Sequence, residues 1–379
     1  VHIIDDLTYD LLDNVEPPFE EKCPEDVVRK LSKMYDSKDI EDCYEEIVSL
    51  YNDKILFSED DYEKYALSAV ASPIKAMCLH IAHDCNLRCK YCFASTGDFG
   101  QGRMLMDYET GKRAIDFLIE RSGDRKFLEV DFFGGEPSLN FGTVEKLVEY
   151  ARSQEEPHNK KFRFTVTTNG VHLTDEMIDF INKEMYNVVL SIDGRKEVND
   201  RMRPFRNGKG SYDLIVPKFK KLAESRNQTN YYIRGTFTRD NLDFSEDVKH
   251  FADLGFKQMS IEPVVGPEED PYSIREEDLP TIMEEYDKLA LEYIKREKEG
   301  RGFNFFHFMI DLNQGPCVYK RLSGCGSGTE YLAVTPWGDF YPCHQFVGNE
   351  DFLMGNVNDG IVRKDIVSTF GDCNVYSKE

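Results

Sequence analysis

Residues 78–95, CLHIAHDCNLRCKYCFAS, pass from an apolar strand into a loop that places Cys85, Cys89 and Cys92 within eight positions. Spacings of four and three let a compact loop bring all three sulfurs to one iron–sulfur cube. Three is an odd number for thiolate chemistry, because structural zinc and ordinary iron–sulfur clusters take four protein ligands. Ligands so close do not readily add a fourth from the same loop. Taken alone, the spacing also fits a zinc half-site or three unrelated buried cysteines.

Downstream of this loop, apolar strands and amphipathic helices alternate. The strand candidates are CLHIAH (78–83), FLEVDFF (127–133), KFRFTVTT (161–168), NVVLSID (187–193), YYIRGTFT (231–238) and KQMSIEPVV (257–265). Helices such as DYETGKRAIDFLIER and DFSEDVKHFADLG separate them, the second offering Asp243 as N-cap, Glu246 three residues on and Gly255 as stop. Such alternation predicts an α/β fold with a parallel sheet and right-handed crossovers, either an open doubly wound sheet or a partial barrel.

Polar motifs close three of these strands: GGEP (134–137), TTNG (167–170) and SIDG (191–194). Each could be a simple turn, since Asn-Gly and Asp-Gly are turn formers and Gly-Gly permits close packing. Their shared place at carboxyl strand ends is harder to reach by turn chemistry. In a parallel barrel those ends form one rim, where active sites sit, so the motifs and the cysteine loop would surround one pocket.

The flanks differ from this centre. Residues 1–73 carry 20 Asp and Glu against 7 Lys and Arg, a net −13 within a whole-chain charge of −23. That balance argues against a nucleic-acid partner, which needs clustered cations. No run of eighteen apolar residues or secretory signal occurs, so membrane spanning is not expected and the cytoplasm is the expected compartment. The ten cysteines then point to metal ligation rather than a disulfide framework. Residues 1–70 show helical patterns in LTYDLLDNV, PEDVVRKLSKMY and IEDCYEEIVSLYNDKILFS, with Ile40, Cys43, Tyr44, Ile47, Val48 and Leu50 on one face and VHII reading as a strand. Ser72-Pro73 breaks any helix and marks a boundary. After the acidic helix LPTIMEEYDKLALEYIKREKEG the alternation stops, and residues 303–379 are irregular, with a hairpin signal at Pro336-Trp337-Gly338-Asp339. Cys23, Cys43 and Cys78 read as structural, and Cys373 is left unassigned.

Cys85, Cys89 and Cys92 with Tyr91 inside the motif, followed by Gly134-Gly135-Glu136-Pro137, resemble the radical S-adenosylmethionine (SAM) superfamily over roughly residues 75–265. The resemblance implies a partial (β/α)6 TIM-like barrel in which three cysteines hold a [4Fe-4S] cluster whose open iron is chelated by SAM. It implies that Glu136 and the backbone of the Gly134–Gly135 pair hold the SAM ammonium and that Tyr91 lies against adenine. Ser191, Asp193 and Asn169 would contact ribose or carboxylate, with Arg234 a further candidate for the carboxylate; charge complementarity agrees with these roles. Cys325, Gly338 and Cys343, with Cys317 upstream, resemble the opening of the SPASM module, which carries auxiliary [4Fe-4S] clusters. The dense cysteine run that continues that module is missing before Glu379, so either the chain is cut short or a second auxiliary cluster is absent; Val1, no initiator, favours a chain cut short at both ends.

The N-terminal order of strand and helices is similar to the winged-helix-like recognition element that binds leader peptides of ribosomally made, modified peptides. The expected organisation is therefore a leader-recognition element at 1–72, the barrel at 73–300 and an incomplete SPASM-type module at 301–379. Among such families the combination looks most like the thioether-forming maturases of "six cysteines in forty-five residues" (SCIFF) peptides. The implied activity is installation of a Cys thioether cross-link in a cysteine-rich precursor peptide, through hydrogen abstraction by a 5′-deoxyadenosyl radical at an acceptor α-carbon. The implied partners are that precursor, with a leader that the acidic first module suggests is Lys-rich, and an electron donor such as flavodoxin or ferredoxin. Another SPASM-type enzyme, such as a sulfatase formylglycine maturase, and a nonenzymatic iron–sulfur or zinc-binding protein are the rival readings. No residue presents itself as the general base.

Overall fold

The computed structural model describes residues 4–60, 73–310 and 324–377. The chain divides into two compact units. In the first, residues 4–60 carry three helices, α1 (Asp6–Leu12), α2 (Glu25–Leu31) and α3 (Ser37–Asn52). Asp5 and Asp36 cap α1 and α3 by accepting the Thr8 and Lys38 amides at 2.8 and 2.9 Å. Ile40, Tyr44 and Ile47 form the buried face that the 3.6-residue period predicts, and they pack with Leu11, Val27 and Leu31. Cys43 and Cys23 are half-buried beside this core, as expected of structural cysteines. The strand expected over VHII falls on residues 1–3, which lie outside the described residues, and among residues 4–60 there is no strand.

The second unit holds the alternating pattern. Its strands are β1 (Ala76–His83), β2 (Met104–Leu105), β3 (Phe127–Gly134), β4 (Lys161–Thr168), β5 (Met185–Ser191), β6 (Tyr231–Phe237), β7 (Gln258–Pro263) and β8 (Asn304–Phe305). Between them run α4 (Tyr108–Arg121), α5 (Phe141–His158), α6 (Asp175–Glu184), α7 (Lys196–Met202), α8 (Tyr212–Ser225), α9 (Phe244–Asp253) and α10 (Leu279–Lys298). β1 and β3 to β8 pair in parallel with their neighbours, and β2 pairs antiparallel with β1. All six strands expected from the sequence are present. Leu128, Val130, Phe132, Phe164, Val166 and Ile233 face the helices in one core, while alternate positions face the lumen. Among the described residues the strand order is open, with β8 at one edge, so the barrel is partial.

Two expectations are adjusted. Asp243 precedes α9 but does not cap it with its side chain, because its carboxylate is drawn to Arg195 at 2.9 Å; Gly255, at φ +94°, ends the helix region as expected. The C-terminal segment also continues the barrel's own sheet. β9 (Tyr331–Val334) pairs in parallel with the outer edge of β1, and β10 (Asp339–Tyr341), β11 (Gly355–Asn356) and β12 (Gly360–Ile361) follow it. β1 has one edge against β3, and β2 covers only Ala82 and His83 of the other, so without β9 the start of that edge would be left unpaired. The buried Glu330 carboxylate fastens the join, taking Lys75 and Arg125 at 2.6 Å each. The hairpin closes at the expected place, with Thr335 N–H to Asp339 O at 3.0 Å and Gly338 at φ +89°. No helix among the described residues is long and apolar enough to cross a membrane.

Candidate metal centre and active site

β1 ends at His83 and the cysteine loop begins at once. The loop lies against residues 202–205, with Lys90 N–H to Met202 O at 2.9 Å, Arg88 N–H to Pro204 O at 2.8 Å and a bridge between Leu87 and Phe205. Arg88 also donates to the Cys85 and Leu87 carbonyls at 2.6 Å, which tightens the turn between the first two cysteines. Cys85 Sγ receives the Leu87 N–H at 3.4 Å. Burial pushes the Cys85 thiol up to about 12, with the Glu136 charge adding to it. Burial pushes the Cys89 thiol up to about 11 against the opposing charge of Arg203. Ligation of a metal must therefore displace protons from both.

GGEP meets this loop through its backbone. Gly135 N–H bonds Ala82 O at 2.8 Å and Glu136 N–H bonds Asp84 O at 2.9 Å. A Cβ on Gly135 would lie 2.3 Å from Asp84 O, and one on Gly134, at φ +120°, would lie 2.3 Å from Ala82 O. Only glycines allow the approach, and the approach delivers Glu136 beside Cys85. The Glu136 side chain, 1% exposed, accepts from Thr168 Oγ1 at 2.7 Å, Ser138 N at 3.0 Å and Asn169 N at 2.7 Å. Asn169 then turns its amide to Asn86 Oδ1 at 2.8 Å and to Cys85 Sγ at 3.6 Å. Three sequence-distant motifs thus meet at Cys85.

SIDG enters the same neighbourhood by another contact. Tyr91 donates to both Asp193 oxygens at 2.7 and 2.8 Å, and Arg203 Nη1 donates to the Tyr91 hydroxyl at 2.8 Å while lying 3.7 Å from Asp193. Asp193 also accepts the Thr236 N–H at 3.2 Å. Burial raises the Asp193 carboxyl against the opposing Arg203 charge. Tyr91 and Asp193, expected at adenine and ribose, here fasten the cysteine loop to β5 and β6. Ser191 closes β5 and pairs in register with Arg234 of β6. Ser191 is half-buried and Arg234 exposed on the lumen face; among the described residues neither hydrogen-bonds to the Cys85–Glu136–Asn169 group.

In the C-terminal extension of the sheet, Cys343 follows β10 and is half-buried, while Cys325 lies exposed in the turn before β9. Gly328 N–H bonds Pro342 O at 3.0 Å and brings that turn to the strand end that carries Cys343. Cys317 lies outside the described residues, and Cys373 is exposed beyond α11 (Lys364–Gly371). Among the described residues no three His, Cys, Asp or Glu side chains converge as ligands of a single metal ion. A cube takes one thiolate per iron and so spreads its cysteines.

The residues present fit a cluster with SAM. Asn86 Nδ2 is buried without a protein partner beside Cys85, and the Leu87 and Asn169 N–H groups already aim at the sulfur, a donor set that suits an iron-bound thiolate. A carboxylate has about four acceptor positions, and Glu136 uses three, which leaves one for an ammonium.

A family model described as the radical SAM superfamily matches residues 79–248. An uncharacterized protein of Methanocaldococcus jannaschii is 30% identical over 287 residues, 76% of this chain and 90% of that protein. The chain belongs to the radical SAM superfamily. The antilisterial bacteriocin subtilosin biosynthesis protein AlbA of Bacillus subtilis is 24% identical over 353 residues, which cover 89% of this chain and 71% of AlbA. Among solved structures, anSMEcpe with bound AdoMet and Kp18Cys peptide superposes with a TM-score of 0.65 at 20% identity, over 80% of this chain and 82% of that chain; that likeness shows the fold. This radical SAM protein is thus related to peptide-modifying maturases, and its family implies a [4Fe-4S] cluster and SAM.

Sequence reading missed Arg203 and Asn86, and gave Thr168 no role beyond its place in TTNG. The available signal was electrostatic: burying Asp193 requires a cation, and the RMRPF stretch supplies Arg203. A cleft of about 400 Å³ also opens at the amino-terminal mouth of the barrel, lined by Glu129, Arg163, Tyr186, Asn187, Tyr232 and Gln258 among others, and none of the motif residues reaches it.

Proposed function

We propose that this protein is a radical SAM peptide maturase that installs a Cys thioether cross-link in a cysteine-rich precursor. The observation that carries it is the Cys85–Asn169–Glu136 contact, which assembles a three-cysteine site and a carboxylate at one barrel rim. The relation to AlbA and the second cysteine group on the same sheet favour peptide modification within the superfamily.

When bound, the cluster and SAM supply a 5′-deoxyadenosyl radical for hydrogen abstraction at an acceptor α-carbon. The chain's own residues bind and orient. Cys85, Cys89 and Cys92 are the cluster ligands in this reading. Glu136 takes the SAM ammonium at its remaining acceptor position, with the Gly134–Gly135 backbone alongside. Ser191, Asn169 and Arg234 present donors for the carboxylate or ribose. Tyr91, Asp193 and Arg203 keep the loop in register with the rim. Cys325 and Cys343, with Cys317, are the ligands of an auxiliary cluster. Residues 4–60 receive the leader, and a flavodoxin or ferredoxin supplies the electron.

The test is anaerobic reconstitution with iron and sulfide, then dithionite, SAM and the precursor peptide encoded beside this protein. Release of 5′-deoxyadenosine together with a peptide lighter by two hydrogens, bonded from sulfur to carbon, is expected by mass spectrometry. Iron held by the three loop cysteines with no 5′-deoxyadenosine would defeat the enzymatic reading, and 5′-deoxyadenosine with a formylglycine product would select the sulfatase-maturase rival.

A further inference from the structure

The barrel rim carries one more polar group, at the carboxyl end of β7. Ser260 and Glu262 stand two apart and share the lumen face, whereas Met259 and Ile261 pack into the helix-side core. Ser260 donates to Glu262 Oε1 at 2.5 Å. His307, in the turn after β8, places Nε2 2.9 Å from Glu262 Oε2 and Nδ1 2.8 Å from the Tyr286 hydroxyl of α10. One tautomer satisfies both contacts: Nε2–H donates to Glu262, and Nδ1 accepts the Tyr286 O–H. A hydrogen-bonded chain therefore runs from the lumen into the helix layer.

Glu262 differs from the two buried motif carboxylates in being reachable. Its side chain is 29% exposed, whereas Glu136 and Asp193 are 1% and 0% exposed and engaged in holding the loop. Its neighbours are Ser260 on its own strand, Arg234 on β6, His307 after β8 and Tyr286 on α10. Arg234 pairs in register with Ser191 of β5 on one side and with Ser260 on the other. Glu262, two residues beyond that row, thus stands on the carboxyl-end rim that SIDG closes at β5. Burial raises its carboxyl, but the Ser260 and His307 hydrogen bonds and the Arg234 charge outweigh that and hold it below the usual range. It is ionised at neutral pH.

We propose that Glu262, oriented by His307 and Ser260, is the proton acceptor for the substrate cysteine thiol. This rests on the maturase reading above. The S–H bond breaks with its electron pair left on sulfur, and the proton passes to the Glu262 carboxylate, so the step needs no oxidant. A free thiol, with a pKa near about 8.5, is only a few per cent thiolate at neutral pH, so an adjacent base matters most there.

The test follows cross-linking of the precursor by reconstituted full-length wild type, Glu262→Gln and His307→Asn at about pH 7 and about pH 9.5, with iron per chain as the check of folding. Glu262→Gln is expected to lose roughly a hundredfold in rate at the lower pH. Above the thiol's own pKa it should recover to within about threefold of wild type, which a merely structural defect would not do. His307→Asn should show the same recovery from a smaller loss of about tenfold. It carries the test if Glu262→Gln fails to hold iron. Normal cross-linking by the variants at the lower pH, or an equal deficit at both, overturns the inference. Wild type that releases 5′-deoxyadenosine without forming a sulfur–carbon bond overturns the maturase reading itself, a failure visible without any variant.

Discussion

Asp131 stands on the lumen face of β3, opposite Cys78 of β1 in the parallel register. Burial, with the Glu129 charge, pushes its carboxyl up to about 6 against a hydrogen bond from Thr165. A folded-state value above the unfolded one favours the protonated form in the fold. The stability from this site is thus full below about pH 4 and lost as pH rises through about 6. A displacement from 3.8 to about 6 corresponds to about 3 kcal/mol. Asp131→Asn should therefore melt higher than wild type at about pH 7.5, by an amount that shrinks towards about pH 4. Thermal melts at the two pH values check this, and an equal difference at both would remove burial of the charge as the cause. Nothing in FLEVDFF distinguishes Asp131 from an exposed strand acid, because its burial comes from β1 and β4.

The cysteine loop, as an element, was legible in its ligands and illegible in its support. Cys85, Cys89 and Cys92 announce themselves by spacing, whereas the loop's shape depends on residues more than a hundred positions away. Arg203 shows this. It is 8% exposed and lies against Asp193, which is fully buried, and Tyr91. Removing one partner of a buried pair leaves the other charge uncompensated, at a cost of about 3 kcal/mol or more. Arg203→Met is expected to lower the melting temperature and to reduce iron bound per chain after reconstitution, checked by calorimetry and iron assay. Unchanged iron at normal stability would mean that the loop needs no such anchor. The strands and helices were easier to read, since each hydrophobic period is local. Asp243 shows the limit: its position is right for a cap, but Arg195 takes its carboxylate.

At the scale of the whole molecule, the charge distribution carries a prediction for the acidic first unit. If residues 4–60 receive a Lys-rich leader, affinity should fall as ionic strength rises, because exposed charges are screened over about 8 Å at physiological salt. Titration of the leader peptide into the full chain at low and high salt measures it; affinity independent of salt would point to apolar strand or groove contacts. The sheet is the other whole-molecule feature. β9 joins β1 in parallel, so the second cysteine group is built onto the sheet that holds the first. The irregular pattern after residue 303 suggested a module apart, since a four-residue strand has too few positions to show a period. By itself the sequence determined the alternating α/β order, the strand-end positions of the motifs and the three-cysteine loop, because each is encoded within a few consecutive residues. Only the tertiary structure decided that Glu136, Asn169 and Cys85 meet, that Tyr91 and Asp193 engage Arg203, and that Glu262 lies open beside His307. Such contacts depend on register and burial between distant strands, which no local spacing records.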